Sequence, residues 1–220
     1  MKVGVLQFPG SNCDQDSYFA VKDVLKAPVE YLWHQECDIK GCDLVIVPGG
    51  FSFGDYLRCG AIARFSPVMG AVMDHAAAGG LVLGICNGFQ ILCEAGLLPG
   101  ALVRNTSMRF VCRHVALRVE NSDTKITRGT NRGDLLSIPV AHGEGRYVCD
   151  ETTLATLNEN GQVILRYATS EDNVNGSTDN IAGVANESFN VFGMMPHPER
   201  ACDVALGSSD GLALLKSLIG

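Results

Sequence analysis

The sequence lacks the glycine-rich motifs that bind nucleotide phosphates. Neither G-x-x-x-x-G-K-[ST] nor G-x-G-x-x-G occurs in it. In proteins that bind ATP or a dinucleotide, the backbone of these loops holds the phosphate groups. We therefore expect no ATP site and no other cofactor in this chain, and an ATP-dependent step would take place elsewhere.

Long apolar runs and basic clusters are also absent. No stretch approaches the ~18 apolar residues that cross a bilayer, no two Lys or Arg residues are adjacent, and the formal net charge is −7. This charge argues against nucleic acid or an anionic membrane as the main partner. The opening segment Met1–Phe8 suits a first strand better than a signal peptide.

The nine cysteines do not form a recognisable disulfide or metal framework. Their number is odd, no C-x-x-C occurs, and no set of four convergent metal ligands is evident. We expect free thiols in a reducing compartment, the cytoplasm, and no metal site.

Alternation of apolar strands with helix-like stretches predicts an α/β fold in the first half of the chain. A length of 220 residues with 46% apolar residues is enough for one domain spanning 1–220. The expected strands are Val3–Phe8, Val29–Trp33, Asp43–Val47 and Leu81–Ile85. The expected helices are Cys13–Lys26 and Arg58–Ala78. This order indicates a flavodoxin-like, doubly wound, mostly parallel sheet.

The second half is richer in strand-like runs joined by turns. These runs predict antiparallel additions to the sheet, followed by a last helix over Ser209–Ile219. The runs are Phe110–Val119, Leu136–Val140, Val163–Ala168, Ile181–Asn186 and Val191–Met195.

One cysteine lies in a pattern typical of a catalytic nucleophile. The segment Gly84-Ile85-Cys86-Asn87-Gly88 follows the apolar run Leu81–Leu83 and precedes a helix-like stretch. This is the G-x-nucleophile-x-G turn between a strand and a helix, with Cys in place of Ser. The turn exposes the sulfur at the positive end of a helix, which favours the thiolate.

A nucleophilic thiol needs a base and a group that orients the base. His197 lies between two prolines in Met195-Pro196-His197-Pro198-Glu199, after a strand-like run. In an extended segment residues i and i+2 point the same way, so Glu199 is expected to reach one ring nitrogen while the other faces Cys86. The alternative is a rigid surface turn with a solvated carboxylate.

Further residues are candidates for the oxyanion hole and the substrate pocket. The N–H of Asn87 follows the nucleophile, and Gly49, Gly50 and Phe51 end the third expected strand. Gln90 lies on the first turn of the expected helix after Cys86. It would either bind a polar substrate or simply lie on the helix surface.

These motifs together resemble the class I (triad) glutamine amidotransferases. Within them, blocks along nearly the whole chain are similar to the glutaminase subunits of phosphoribosylformylglycinamidine synthases. The blocks are 8–14, 48–55, 84–90, 109–113, 141–147 and 193–200. The turn Gly84–Gly88 around Cys86, here called the elbow, indicates by itself only the superfamily.

The resemblance implies the class I amidotransferase fold and a reaction. Glutamine would be hydrolysed through a γ-glutamyl thioester on Cys86, with His197 as acid and base and Glu199 orienting it. The ammonia would pass to a large synthase subunit that uses ATP and magnesium in purine biosynthesis, in a complex with a small third subunit. The segment His142–Gly145 would face the partner or form a loop.

Two other functions compete with this one. A stand-alone γ-glutamyl hydrolase or cysteine peptidase could use the same fold and triad. A non-catalytic homologue could keep the elbow cysteine but need not keep a His-x-Glu pair, and this chain has both.

Overall fold

A computed structural model describes all residues, 1–220. Strands and helices alternate through its first half, and strands dominate the second. The strands are β1 Val3–Gln7, β2 Val29–Trp33, β3 Leu44–Val47, β4 Leu81–Ile85, β5 Ala101–Val103, β6 Val111–Val119, β7 Leu135–His142, β8 Arg146–Val148, β9 Val163–Tyr167, β10 Ile181–Ala185 and β11 Val191–Met194. The helices are α1 Asp14–Phe19, α2 Pro67–Ala77, α3 Asn87–Glu94, α4 Glu151–Glu159 and α5 Gly211–Ile219.

Nine strands form one mixed sheet in the order β2-β1-β3-β4-β11-β10-β9-β6-β7. Its first five strands are parallel to one another, and the remaining four are added antiparallel. The order of the parallel half is that of a flavodoxin-like sheet. The α/β fold with antiparallel additions is therefore confirmed. Strands β5 and β8 form a separate two-stranded sheet.

The strand-like run Val191–Met195 is expected to be an antiparallel addition, and this is wrong on one of its two sides. Strand β11 pairs antiparallel with β10 but parallel with β4, with Gly193 opposite Gly84. It thus completes the parallel half, which brings the segment after β11 to the carboxyl end of β4. Ligands of open α/β sheets bind at this edge.

The expected single helix over Arg58–Ala78 is also wrong. A short 3₁₀ turn over Ala63–Phe65 precedes α2, which begins at Pro67. Proline lacks the N–H that a helix interior needs but suits a first helical position. Pro67 therefore starts a helix here and does not lie within one. The first expected helix continues from α1 as a π-helical turn, Ala20–Val24.

The central strands are buried on both faces, so the residues at their carboxyl ends are held in fixed positions. Every residue of β3, β4 and β11 is buried, because helices cover the two faces of the parallel half. These strands belong to one hydrophobic core of 52 residues. None of the helices combines the length and the apolar character needed to cross a membrane.

Candidate active site

Cys86 lies on the sharp turn that joins β4 to α3. Its backbone adopts φ 51° and ψ −106°, a conformation that residues other than glycine rarely adopt. The residue is buried, and its thiol faces the carbonyl oxygen of Ala141 at 3.7 Å. The turn between strand and helix that the sequence predicted at Cys86 is therefore present, and its backbone is strained.

The two glycines of the elbow have no room for a side chain. A Cβ atom on Gly88 would lie 1.8 Å from the carbonyl oxygen of Val47 in β3, and one on Gly84 would lie 2.8 Å from the backbone of Gly88. Helix α3 therefore starts in close contact with the sheet. This close approach fixes the position of Cys86 at the sheet's carboxyl edge.

His197 and Glu199 are paired in the interior of the protein. Nδ1 of His197 and Oε1 of Glu199 are 2.7 Å apart, and both side chains are at most 1% exposed. The backbone N–H of His197 donates to the carbonyl of Pro139 in β7. Residues Pro198–Arg200 form a 3₁₀ turn. The expected contact is present, but the extended segment invoked for it is not.

The surroundings of His197 favour its protonated form. Burial lowers the pKa of the imidazole, but the Glu199 carboxylate and the Cys86 sulfur outweigh burial and raise that pKa to about 10. Nε2 of His197 has no partner within the chain, and both His197 and Cys86 line the same cavity. An imidazolium beside a thiol stabilises the thiolate, which is the nucleophilic form.

Backbone N–H groups are available beside the sulfur. The amide hydrogens of Asn87, Gly88 and Phe89 make no hydrogen bond within the chain, as expected for the start of a helix. The N–H of Gly50 is likewise unbonded and Gly50 lines the cavity, whereas the N–H of Phe51 donates to the carbonyl of Gly10. Gly50 therefore fits the second oxyanion donor and Phe51 does not.

Gly49 and Phe51 contribute to the site in other ways. A Cβ atom on Gly49 would lie 2.9 Å from Cε1 of His197, so this glycine makes room for the imidazole. The ring of Phe51 lines the cavity and is 47% exposed at its entrance.

The side chains of Asn87 and Gln90 hold the loops around the cavity. Asn87 accepts from the N–H of Ser52 and donates to Oε1 of Gln90 at 2.8 Å. Gln90 donates to the carbonyl of Glu144 at 2.6 Å. Because Gln90 is 5% exposed, the alternative of a helix-surface position is wrong. Gln90 still lines the cavity, so contact with a substrate stays a prediction.

The sulfur of Cys86 opens into a cavity of about 200 Å³ whose lining includes residues that the sequence did not assign. Those without an assigned role include Asn12, Cys13, Cys59, Phe110, Ala141 and Arg200. Most lie in loops at the carboxyl edge of the sheet, a position that the topology places near Cys86 but that no local motif marks. A larger groove beside α4 contains no thiol and no imidazole.

The segment His142–Gly145 is part of the cavity wall. His142 is buried, and its pKa is lowered to about 4 by burial and by the charge of His197. It is therefore neutral near pH 7, and its Nδ1 has no partner. The segment forms the loop between β7 and β8, as one of the two sequence interpretations had it, and this loop lines the cavity. Contact with the partner stays a prediction. A cluster of three or more potential metal ligands is not present, and all nine cysteines are free.

Comparison with known proteins gives matches over the whole chain. The profile of the CobB/CobQ-like glutamine amidotransferase domain matches residues 1–209. A curated relative from Trichormus variabilis, phosphoribosylformylglycinamidine synthase subunit PurQ, is 57% identical over 219 residues, which cover 100% of this chain and 97% of the relative. The subunit of the same name from Synechococcus elongatus is 58% identical, with 100% and 98% covered.

The solved structures give a consistent result. A chain in the structure of PurLQS from Thermotoga maritima superposes with a TM-score of 0.90 and 44% identity, and the match covers 99% of this chain and 97% of that one. A glutamine amidotransferase from Thermotoga maritima matches with a TM-score of 0.64 at 14% identity, covering 100% and 96%. The second likeness concerns the fold alone.

Proposed function

Because this chain belongs to the CobB/CobQ-like glutamine amidotransferase family, we propose that it is the glutaminase subunit of a phosphoribosylformylglycinamidine synthase. The observation that carries the proposal is the buried His197–Glu199 pair, which shares one cavity with an elbow cysteine. Identity of 57% over the full length to a synthase subunit supports the specific assignment. The whole chain, 1–220, acts as one amidotransferase domain around its single core.

The first half of the reaction forms a thioester. The Cys86 thiolate attacks the γ-carbonyl carbon of glutamine, and the N–H groups of Asn87 and Gly50 stabilise the oxyanion that develops. His197 donates its Nε2 proton to the leaving nitrogen, and the C–N bond breaks to release ammonia. Glu199 holds the imidazole through Nδ1 and stabilises its charged form.

The second half releases glutamate. Neutral His197 takes a proton from a water molecule, which attacks the thioester carbon. The tetrahedral intermediate uses the same two N–H donors, and its collapse breaks the C–S bond. The Cys86 thiolate and the imidazolium are then restored, so the site returns to its starting charge state.

The ammonia is used by another protein. No phosphate-binding glycine motif is present in this chain, so the partner synthase supplies the site for ATP and magnesium. It uses them to convert formylglycinamide ribonucleotide to the amidine, in a complex with a small third subunit. Exposed apolar side chains suit contact with that partner: Phe110 lines the cavity, and Leu57 lies two residues after Asp55 of the lining. The nine free thiols fit the reducing cytoplasm.

Replacing the nucleophile tests the assignment. In the complex reconstituted with the synthase, we expect Cys86→Ala to reduce glutamine-dependent synthesis by on the order of 10⁴-fold or more, because the covalent step is lost. Synthesis from an added ammonium salt should be unchanged. Both rates are measured with the same preparation, and size-exclusion chromatography checks that Cys86→Ala still assembles with the synthase.

A second cysteine serves as the control. Cys112 is exposed and lies outside the cavity lining, so Cys112→Ala should leave both rates near the wild-type values. Substantial glutamine-dependent synthesis by Cys86→Ala would refute the role of Cys86. Equal glutaminase activity of the isolated chain and of the complex would favour the stand-alone hydrolase instead.

A further inference from the structure

We propose that the carboxylates of Asp55 and Glu144, here called the carboxylate pair, bind the α-ammonium group of glutamine and so select the free amino acid. This inference rests on the proposed glutaminase function. The triad acts on the γ-amide alone, and any primary amide could present that group. Discrimination for glutamine must come from contacts with the other end of the substrate.

The carboxylate pair lines the same cavity as Cys86, from two loops that are distant in sequence. Asp55 lies in the loop after β3, and Glu144 lies in the loop between β7 and β8. Both are partly buried, and the thiol of Cys59 lies against both of them. Burial and the two carboxylates raise the pKa of this thiol, so at neutral pH it is a neutral donor and not a counter-charge.

The pair lacks an adequate cation within the chain. Asp55 receives two neutral donors, the Asn87 amide at 3.4 Å and the Cys59 thiol, and burial together with the charge of Glu144 raises its pKa. Glu144 is 3.7 Å from Arg104, whose side chain is 62% exposed, and such contacts contribute little. The one arginine of the lining, Arg200, is paired with Asp16 through two nitrogens.

The spacing between the pair and the sulfur suits glutamine. Gln90 connects the two: its backbone N–H donates to the carbonyl of Cys86, and its side chain donates to the carbonyl of Glu144. In glutamine, the Cα, Cβ and Cγ atoms separate the ammonium group from the reacting carbonyl. With the γ-amide at Cys86, the ammonium group can therefore reach the carboxylate pair.

An independent observation marks the cavity as a ligand site. Nε2 of His197 is buried without a hydrogen-bond partner, on a side chain that is 1% exposed and lines the cavity. A buried polar atom without a partner is unusual unless a ligand or water supplies one. His197, at the reacting end of the cavity, lacks a hydrogen-bond partner, and the carboxylate pair lacks a cation. Bound glutamine would supply both, through its γ-amide and its α-ammonium group.

The test compares glutamine with glutaramate, which is glutamine without its α-amino group. Glutaminase activity of the reconstituted complex is measured with both substrates for the wild type, Glu144→Gln, Asp55→Asn and the double variant. We expect the wild type to prefer glutamine strongly in kcat/KM. Each single substitution should reduce that preference about tenfold or more, chiefly through a higher KM for glutamine, while kcat/KM for glutaramate stays within a few fold.

The control is Glu159→Gln, at an exposed position of α4 outside the cavity, which should keep the wild-type preference. Co-elution of each variant with the synthase in size-exclusion chromatography shows that the variant folds and assembles. An unchanged preference in the double variant, or equal losses with both substrates, would overturn the inference. If the wild type fails to hydrolyse glutamine at all, the proposed function itself is wrong.

Discussion

At the scale of single residues, the buried pair of His197 and Glu199 determines the charge state of the site. A buried imidazole alone would be neutral at pH 7, because burial lowers its pKa. The carboxylate at 2.7 Å and the neighbouring Cys86 reverse this, and the pKa of His197 is raised to about 10. We therefore expect Glu199 to orient His197 and keep it protonated, and not to contact glutamine.

Replacing Glu199 by Gln should separate these effects. We expect Glu199→Gln to lower kcat for glutamine hydrolysis by on the order of 10²–10⁴-fold, since the imidazolium loses its counter-charge while the ring keeps a hydrogen-bond partner. KM should change little. Ammonium-dependent synthesis by the complex is the control, and a kcat near that of the wild type would contradict the orienting role of Glu199.

The same pair makes stability depend on pH in a defined direction. Since the pKa of His197 is higher in the folded chain than its usual 6.5, the stabilisation is complete below about pH 6.5 and is lost as pH rises towards 10. The difference in free energy of unfolding between the wild type and Glu199→Gln should shrink over this interval. Denaturant titrations at several pH values measure it, and a pH-independent difference would be inconsistent with the raised pKa.

At the scale of elements, the elbow depends on close contact between α3 and β3. A Cβ atom on Gly88 would lie 1.8 Å from the Val47 carbonyl oxygen, so Gly88→Ala must displace either the helix or the strand. We expect a loss of about 3 kcal/mol or more in the free energy of unfolding, with loss of glutaminase activity. Thermal or denaturant unfolding of the isolated chain gives the first value.

Gly70 provides the matched control for this substitution. It lies within α2, and a Cβ atom there would meet nothing within 4 Å. Gly70→Ala should be neutral or stabilise the chain by about 0.5–1 kcal/mol, because alanine is the better helix former. Equal effects of the two substitutions would mean that backbone entropy, not the contact with Val47, limits position 88.

The helices and strands also show which features could be predicted from the sequence and which could not. The run Leu81–Ile85 with its elbow, and the segment Pro196–Glu199, carry strong local signals, and the structure has both. Local patterns could not tell whether Pro67 interrupts a helix or begins one. The strands that pair with β11 and the approach of Glu144 to Asp55 depend on contacts between residues distant in sequence. Local motifs carry no information on such contacts.

At the scale of the whole molecule, the cavity opens onto a surface that is unusually apolar. Phe51 and Phe110 line the cavity and are 47% and 54% exposed. Tyr56 and Leu57, which follow Asp55 of the lining, are 74% and 91% exposed. Exposed apolar groups that cluster beside a catalytic cavity indicate a protein interface. We expect the synthase that receives the ammonia to bind here, so that docking and product transfer use the same face.

A charge placed on this face should weaken the complex without unfolding the chain. Leu57 is 91% exposed, so Leu57→Asp leaves the core intact. We expect the synthase concentration needed for half-maximal glutaminase activation to rise tenfold or more, because an aspartate buried without a partner opposes docking. Activity is titrated with the purified synthase, and circular dichroism checks the fold.

Leu135 is the matched control for Leu57. It is 65% exposed at the start of β7, seven residues and therefore about 23 Å from His142 along the strand. Leu135→Asp adds the same charge far from the cavity and should leave the activation curve unchanged. If the two variants shift the curve equally, net charge and not the entrance surface governs docking. If neither shifts it, the partner binds elsewhere, and ammonia would have to leave the cavity through open solvent.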